Sequence, residues 1–433
     1  MIREIEGRKT ISGIVTVPGD KSISHRAVML GSIASGKSTF TGLSEAQDVC
    51  SSVDAVRALG VPVQKKGGKL VIEGRGIHGF ERLAKNAPLR IDCGNSGTTA
   101  RLLMGLLCGA GISARLTGDS SLSRRPMDRV VAPLREIGAQ ISADNGHLPV
   151  QIGRSRLVPF EYRVPVASAQ VKSAFILAAL FVQGRSVITE FSDTRDHTER
   201  MLVLMNGDIR KRSFIQEKRI EVYGRRELAA LDVLIPGDLS SSVFFLALAL
   251  VLPASEIVVE HVLLNTTRAH VLEVLERMGG KIEVRIDSDL PEPMGTVRAK
   301  SSRLHGTTID GLEIPLVIDE IPAIAAAACF ARGETVVRGA SELRVKESDR
   351  IRGIVDMTRA FGGKVVEYED GFLITGNKKL SATRVQTSCD HRIAMAASVI
   401  AANIRGRSQI EDAECVNVSF PGYFDALETH FSR

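Results

Sequence analysis

The pentapeptide PGDKS at residues 18–22 recurs, with one change, as PGDLS at residues 236–240. Each copy precedes an apolar segment rich in small residues. Four more segments begin with a polar residue and continue in the same way, at Asn95, Ser168, Asp319 and Asp390. The successive starts at 20, 95, 168, 238, 319 and 390 are separated by 75, 73, 70, 81 and 71 residues. Self-similarity at a nearly fixed period indicates an architecture of six similar repeats.

Each repeat continues in a similar order after its apolar helix. A short strand rich in β-branched residues follows, then a second helix and, in five repeats, another strand. The six predicted strands are STFTGL, SARLTG, SVITEF, EIVVEH, TVVRGA and SQIEDA. The first helix of each repeat is apolar nearly all round, which predicts a buried position. The second helix carries charges on one face, for example Glu273, Glu276 and Arg277, which predicts an outer position.

The bulk composition favours an ordered protein of more than one domain. The chain has 433 residues, of which 44% are hydrophobic and 24% charged, and its net charge is +6. Three repeats in each of two domains fit this length, with the boundary before Pro236. No long basic run suggests nucleic acid, and no apolar run is long enough to span a bilayer. The six Cys form no CxxC pair, which predicts buried, reduced thiols. The N-terminus has no apolar segment, which predicts a cytoplasmic protein.

Six helix starts predict a site for anions. A helix N-terminus presents unpaired N–H groups and a partial positive charge. Lys21, Arg26 and Arg392 lie near such starts, where a cation opposes the helix dipole unless an anion is bound. The alternative is that these ends are capped and meet solvent. For His25, which has no partner visible in the sequence, a structural role is favoured.

Three polar connectors strengthen the prediction of an anion site. They follow inner strands at residues 118–126, 192–197 and 342–350, and each contains Arg. Arginine binds phosphate and carboxylate through paired hydrogen bonds. Taken alone, 342–350 is interpreted as an exposed helix start.

One motif is misleading. Residues 31–38, GSIASGKS, match the pattern GxxxxGK[ST], but a nucleotide-binding loop follows a strand and opens a helix. Here the match ends a predicted helix and opens a strand, so nucleotide binding is not expected. No spacing of His, Cys or Asp predicts a metal site, and no cofactor is expected.

The ordered motifs resemble those of the 5-enolpyruvylshikimate-3-phosphate synthase family, in the enolpyruvyl transferases. The resemblance spans nearly the whole chain through PGDKSISHR, CGNSGTTARLL, LSRRPM, SAQVKSA, TRDHTERML, PGDLSS, IDEIPA, LRVKESDR and DHRIAMA. It implies an α/β fold of two inverse α/β barrel domains, with six βαβαββ repeats, three per domain. The implied domains are 15–234 and 1–14 with 235–433, with a hinge at 14–19 and 232–237.

The resemblance also implies a reaction and its residues. The enolpyruvyl group of phosphoenolpyruvate passes to the 5-hydroxyl of shikimate 3-phosphate, and phosphate is released. The residues implied for shikimate 3-phosphate are Lys21, Ser22, Arg26, Ser168, Ala169, Gln170, Arg195, Asp319 and Lys346. Those implied for phosphoenolpyruvate are Lys21, Gly97, Arg125, Gln170, Arg350 and Arg392. The family expectation for the oligomeric state is a monomer.

The chemistry requires two proton transfers, one to carbon 3 of phosphoenolpyruvate and one from the acceptor hydroxyl. Asp319, assisted by Lys21, is the candidate base, and Glu347 is the candidate donor to carbon. How these three residues divide the two steps stays open. Asp319 could also serve only as a helix N-cap.

Two positions bear on differences within the family. Val418 stands before Ser419-Phe420-Pro421 where relatives carry a basic residue, so that contact to phosphoenolpyruvate is expected to be absent. Gly97 keeps the small residue associated with sensitivity to glyphosate, which should compete with phosphoenolpyruvate.

Three other functions compete with this interpretation. The UDP-N-acetylglucosamine enolpyruvyl transferases share the fold and reaction, but usually carry Cys or Asp in a loop near 118–125, and this segment has no Cys. A non-catalytic protein that binds phosphoanions or RNA ends would not need Lys21, Asp319 and Glu347 together. The third is a nucleotidase built on 31–38, which the order of helix and strand disfavours.

Overall fold

The computed structural model describes residues 1–7, 10–83, 88–165, 167–376 and 379–431. The chain divides into two compact units, residues 19–235 and residues 236–433 together with 1–18. They are called below the 19–235 unit and the 236–433 unit. Among the described residues, no helix is long and apolar enough to cross a membrane.

Strands and helices alternate along most of the chain. The strands are β1 Arg3–Glu6, β2 Ser12–Val15, β3 Ala34–Thr41, β4 Val63–Lys66, β5 Lys69–Arg75, β6 Leu89–Asp92, β7 Ala114–Thr117, β8 Ile141–Asp144, β9 His147–Ile152, β10 Glu161–Arg163, β11 Arg185–Glu190, β12 Ile209–Ser213, β13 Lys218–Tyr223, β14 Leu228–Ala229, β15 Asp232–Leu234, β16 Glu256–Leu263, β17 Lys281–Ser288, β18 Met294–Lys300, β19 Thr308–Ile309, β20 Glu334–Val337, β21 Lys364–Tyr368, β22 Gly371–Thr375, β23 Arg384–Val385 and β24 Arg407–Ile410.

The helices fall into an inner and an outer set, with two short additional ones. The α-helices are α1 Lys21–Ile33, α2 Gln47–Ala58, α3 Gly76–Glu81, α4 Gly97–Ala110, α5 Asp128–Glu136, α6 Ala169–Ala179, α7 His197–Leu204, α8 Leu239–Val251, α9 Thr266–Arg277, α10 Ile314–Val317, α11 Ile321–Ala328, α12 Arg350–Ala360, α13 His391–Ala402 and α14 Tyr423–His430. Short 3₁₀ helices span Leu122–Arg124, Gly311–Glu313, Ser341–Val345 and Ala413–Val418.

One sheet pattern recurs in both units. In the order β6-β7-β9-β8, the first two strands are parallel, and the last two form an antiparallel hairpin whose β9 pairs with β7. The same pattern holds for β10-β11-β13-β12, β2-β16-β18-β17 and β19-β20-β22-β21. The sheet of β3, β4 and β5 takes both β14 and β15 as its parallel strands. The sixth sheet, β23-β24-β1, is closed by the N-terminal strand in place of a hairpin. This is the predicted βαβαββ plan.

The two strands that precede the PGD turns pair with strands that are distant in sequence. β2 pairs with β16 of the 236–433 unit, and β15 pairs with β3 of the 19–235 unit. The first 18 residues therefore complete the sheets of the 236–433 unit. Whether 14–19 and 232–237 act as a hinge stays a prediction.

The apolar helices are buried, as predicted. In α8 every residue from Leu239 to Leu250 is buried. α4 packs against α6 through small residues, and a Cβ added to Gly105 would lie 2.0 Å from the carbonyl oxygen of Ala174. This close approach explains the many small residues of these helices. Glu273, Glu276 and Arg277 are exposed on α9, which confirms the outer position predicted for the second helix of that repeat.

The six predicted strands are all present as β3, β7, β11, β16, β20 and β24. α1 ends at Ile33 and β3 begins at Ala34, so residues 31–38 end a helix and open a strand, as predicted. The expectation for the thiols was partly wrong, because Cys50 and Cys389 are exposed whereas the other four are buried.

Candidate functional site

The predicted site residues fall into two clusters, one in each unit. In the 19–235 unit they lie at the starts of the inner helices α1, α4 and α6, or in the connectors that follow inner strands. All three starts are capped by a side chain, from Asp20, Ser96 and Ser168. The predicted start at Asn95 is one residue early, since Ser96 caps Thr99 N and Asn95 accepts a hydrogen bond from Arg125 instead.

Arg26 joins three helices of the 19–235 unit. Its Nε donates to Thr198 Oγ1 at 2.8 Å, and its Nη2 donates to Ser173 Oγ at 2.8 Å. Its Nη1 donates to the carbonyl of Ser22 at 3.0 Å, and Nη2 lies 3.5 Å from the carbonyl of Ala169. The guanidinium is buried and its direction is fixed, which suits an anion-binding group.

Arg195 and Lys21 lie at the same helix start. Arg195 Nη1 donates to Ser22 Oγ at 3.2 Å, so connector 192–197 reaches the first turn of α1. Lys21 Nζ lies 2.5 Å from Asp48 Oδ2, and 18% of the lysine side chain is exposed. Asp48, in the first turn of α2, was not predicted from the sequence.

A second group surrounds the start of α4. A Cβ added to Gly97 would lie 3.0 Å from Arg101 Nη1 and 3.4 Å from Arg125 Nη1. Arg101 Nη1 donates to Gln170 Oε1 at 2.7 Å, and Gln170 Nε2 donates to Thr98 Oγ1 at 2.9 Å. Because Gly97 has no side chain, two guanidinium groups lie close to the start of α4. Arg101 was missed, although its place one turn after a helix start, like that of Arg26, was the available signal.

His25 is buried behind these residues. Its Nδ1 is 2.7 Å from Ser52 Oγ, which is 2.7 Å from Thr99 Oγ1, so a chain of hydroxyl groups links α1, α2 and α4. Burial holds the pKa of His25 well below its ordinary value, and the charges of Lys21 and Arg26 lower it further. The imidazole is therefore neutral at physiological pH, which agrees with the structural role favoured from the sequence.

In the 236–433 unit, three carboxylates surround Arg350. Its Nε donates to Asp390 Oδ2 at 2.9 Å, its Nη2 to Glu347 Oε2 at 2.6 Å and its Nη1 to Asp319 Oδ1 at 3.4 Å. Burial alone would lower the pKa of Arg350, but the three carboxylates outweigh it and the pKa is raised. Burial likewise opposes ionisation of Asp390, but Arg350 outweighs it and the pKa of Asp390 is lowered. The charges are therefore retained despite burial.

Asp319 is held by two further cations. Lys346 Nζ lies 3.5 Å from Asp319 Oδ1, and Arg392 Nη1 donates to the carbonyl of Asp319 at 2.6 Å. The N-cap position of α11 is taken by Glu320, without a side-chain capping bond. The alternative that Asp319 serves as an N-cap is therefore wrong, because its carboxylate faces Arg350 and Lys346.

The comparisons with known proteins agree with the fold. The family model described as EPSP synthase (3-phosphoshikimate 1-carboxyvinyltransferase) matches residues 5–427. A 3-phosphoshikimate 1-carboxyvinyltransferase of Caldicellulosiruptor saccharolyticus is 43% identical over 436 residues, covering 99% of each chain. One from Desulforamulus reducens is 44% identical over 425 residues, covering 97% of each.

Two solved structures show the same architecture. The EPSP synthase from Acinetobacter baumannii superposes with a TM-score of 0.86 at 38% identity, covering 99% of this chain and 98% of that one. The enolpyruvyl transferase NikO from Streptomyces tendae gives a TM-score of 0.78 at 16% identity, covering 99% of this chain and 97% of that one. The second likeness concerns the fold alone.

Proposed function

The chain belongs to the EPSP synthase family, and from that premise we propose which of its residues carry the reaction. The protein is a 3-phosphoshikimate 1-carboxyvinyltransferase. It transfers the enolpyruvyl group of phosphoenolpyruvate to the 5-hydroxyl of shikimate 3-phosphate and releases phosphate, in the biosynthesis of aromatic amino acids.

The shikimate 3-phosphate ligands that we propose in the 19–235 unit converge on the start of α1. The support is the fixed direction of Arg26, whose guanidinium contacts α6 and α7, and the contact of Arg195 with Ser22. Two fixed guanidinium groups beside a helix N-terminus suit a phosphate dianion. The full proposed set is Lys21, Ser22, Arg26, Ser168, Ala169, Gln170 and Arg195, with Asp319 and Lys346 of the 236–433 unit.

The proposed phosphoenolpyruvate ligands are Lys21, Gly97, Arg125, Gln170, Arg350 and Arg392. The absence of a side chain at Gly97, which lets Arg101 and Arg125 lie close to the start of α4, supports a small anion there. In the 236–433 unit, Arg350 contacts Glu347 and Asp319, and Arg392 contacts the backbone of Asp319. The same arginines that we assign to the substrate anion therefore also hold the two proposed proton-transfer groups.

One observation carries the assignment of the proton-transfer groups. The three carboxylates around Arg350 differ in access, because the side chain of Asp390 is 0% exposed whereas those of Asp319 and Glu347 are 15% and 22% exposed. Only the latter two can reach a substrate atom. Asp319, with Lys21, is the proposed base for the hydroxyl, and Glu347 the proposed donor to carbon 3. Since each is held by a fixed cation, little reorganisation is needed during the reaction.

Deuterium exchange distinguishes the two roles. With both substrates in D₂O, the native enzyme should introduce deuterium at carbon 3 of phosphoenolpyruvate through the reversible addition step. Glu347→Gln should abolish this exchange, and Asp319→Asn should slow turnover while some exchange persists. Asp356→Asn, an exposed carboxylate on α12, is the matched control and should behave as the native enzyme. Full exchange in Glu347→Gln would refute the assignment.

The remaining expectations concern the organisation of the protein. We propose that the two units are the domains predicted as residues 15–234 and residues 1–14 with 235–433, with the boundary between them inside the hinge segments 14–19 and 232–237. We also propose a cytoplasmic monomer that needs no cofactor. Sedimentation of the purified enzyme, with and without both substrates, measures the oligomeric state, and a dimer in either condition would refute the monomer.

A further inference from the structure

We infer that Lys172 is a positioning residue for the shikimate 3-phosphate site, acting through the connector that carries Arg195 and through the start of α7. This inference rests on the proposed assignment of Arg26 and Arg195 to that substrate. Lys172 belongs to none of the ligand sets proposed above. It lies on α6, and its side chain is 0% exposed.

The ammonium group of Lys172 is enclosed by acceptors from three segments. Its Nζ lies 3.1 Å from Glu190 Oε2 at the end of β11 and 2.9 Å from Glu199 Oε1 in α7. It also lies 3.4 Å from the carbonyl oxygen of Thr194 in the connector. Thr194 Oγ1 donates to Glu190 Oε2 at 2.7 Å, so Thr194 of the connector contacts both Lys172 and Glu190. Both carboxylates are nearly fully buried, at 3% and 7% exposed.

Stability alone gives a poor reason for this arrangement. Burying one ammonium and two carboxylates is costly, and well-packed apolar side chains of the same volume are often at least as stable. Burial lowers the pKa of Lys172, but the carboxylates outweigh it and the pKa is raised, so the ammonium stays charged. Burial raises the pKa of Glu190 more than Lys172 and Thr194 lower it. Without Lys172, two carboxylates would face one another with no cation to separate them.

The residues beside this cluster are those that hold Arg26 and Arg195. Ser173 follows Lys172 and accepts from Arg26, and Thr198 precedes Glu199 and also accepts from Arg26. Thr198 Oγ1 further donates to Ser173 Oγ at 2.8 Å. The pair Lys172–Glu199 therefore joins α6 to α7 immediately beside the contacts that aim Arg26. Arg195 follows Thr194, whose carbonyl faces the ammonium.

Kinetics of Lys172→Met give the first test. Repulsion between Glu190 and Glu199 should displace the connector and the start of α7, so KM for shikimate 3-phosphate should rise roughly tenfold, the order expected for a lost charge-assisted contact. KM for phosphoenolpyruvate should change much less, because the described contacts of Arg125 and Gly97 are with Asn95, Arg101 and Leu122, which do not belong to this cluster. Ile176→Val, buried one turn further along α6, is the matched control and should leave both KM values unchanged. Equal rises in both KM values, or no rise, would overturn the inference.

Amide hydrogen exchange gives a second test that does not depend on activity. Amide hydrogen exchange should accelerate over residues 191–200 in Lys172→Met and not in Ile176→Val, and unchanged exchange there would overturn the inference. If Lys172→Met does not fold, Glu199→Gln decides, with a severalfold rise in KM for shikimate 3-phosphate expected from loss of one ionic partner. An unchanged KM in that variant would overturn it too.

Arg195→Gln, assayed in parallel, separates the inference from the assignment on which it rests. If that variant leaves KM for shikimate 3-phosphate unchanged, the proposed substrate site is wrong. If Arg195→Gln raises it and Lys172→Met does not, only the role of Lys172 is wrong.

Discussion

Arg350 and Asp390 form a buried ion pair, in which Nε donates to Oδ2 at 2.9 Å and the two side chains are 1% and 0% exposed. Asp390 Oδ1 also accepts from the backbone N–H of Arg392 at 2.9 Å and so caps α13. One carboxylate therefore both starts an inner helix and anchors the arginine that contacts Asp319 and Glu347.

Asp390→Asn should therefore destabilise the protein markedly. Asparagine keeps a capping group, but it removes a buried charge partner of Arg350, a change that costs about 3 kcal/mol. Urea unfolding at neutral pH measures this as a lower midpoint. Asp356→Asn, in an exposed pair with Arg352, should leave the midpoint unchanged. Equal shifts in the two variants would contradict the role given to Asp390.

The buried imidazole of His25 makes stability depend on pH. Its pKa is lowered in the folded state, so below the unfolded value of about 6.5 the unfolded chain binds a proton that the folded chain does not. Above pH 6.5, His25 therefore does not reduce the free energy of unfolding. Below pH 6.5, that free energy falls by up to about 1.4 kcal/mol per pH unit. Urea midpoints at several pH values should fall less steeply for His25→Gln than for the native protein. Parallel profiles would show that His25 is not responsible.

Two glycines of α4 should respond differently to alanine. In Gly97→Ala the methyl group meets the ends of two Arg side chains and makes an ordinary contact with Leu122, so the protein should fold while phosphoenolpyruvate and glyphosate bind less well. A severalfold rise in KM for phosphoenolpyruvate corresponds to about 1 kcal/mol. Gly105→Ala instead meets the backbone of Ala174 and should lose stability. Inhibition kinetics with glyphosate measure the effect of Gly97→Ala, and thermal unfolding measures the effect of Gly105→Ala. An unchanged affinity for phosphoenolpyruvate and glyphosate in Gly97→Ala would contradict the proposed site.

Asp48→Asn tests the shared position of Lys21. Lys21 is proposed to contact both substrates, and Asp48 is its partner at 2.5 Å. Loss of the ionic partner should raise both KM values, by roughly tenfold if about 1.4 kcal/mol is lost. The variant for comparison is Arg195→Gln, which should raise only the KM for shikimate 3-phosphate. A selective effect of Asp48→Asn would argue against a shared Lys21.

Local sequence patterns were sufficient to predict the repeated framework. Apolar periodicity, small residues and capping side chains such as Asp20, Ser168, Asp238 and Asp390 act over a few residues, so the inner helices could be predicted from short segments. The resemblance then supplied the sheet plan. It also implied that residues 1–14 belong with residues 235–433, and β1 indeed pairs with β24.

Contacts between distant residues were harder to predict. The contacts of Asp48, Arg101 and Lys172 with Lys21, Gln170 and Glu190 could not be predicted from short segments, because these partners lie 27, 69 and 18 residues away and are set by helix packing. Asp319 resembled a helix cap in sequence, whereas its side chain turns to Arg350 and Lys346. Long-range electrostatic contacts, and not helix propensity, decide these orientations.

The central claim is most directly tested by phosphate release from phosphoenolpyruvate by the purified protein. The assay compares three conditions, with shikimate 3-phosphate, with UDP-N-acetylglucosamine and with no acceptor. We predict stoichiometric phosphate release and an enolpyruvyl product only with shikimate 3-phosphate. Release with UDP-N-acetylglucosamine, or no release with any acceptor, would contradict the account.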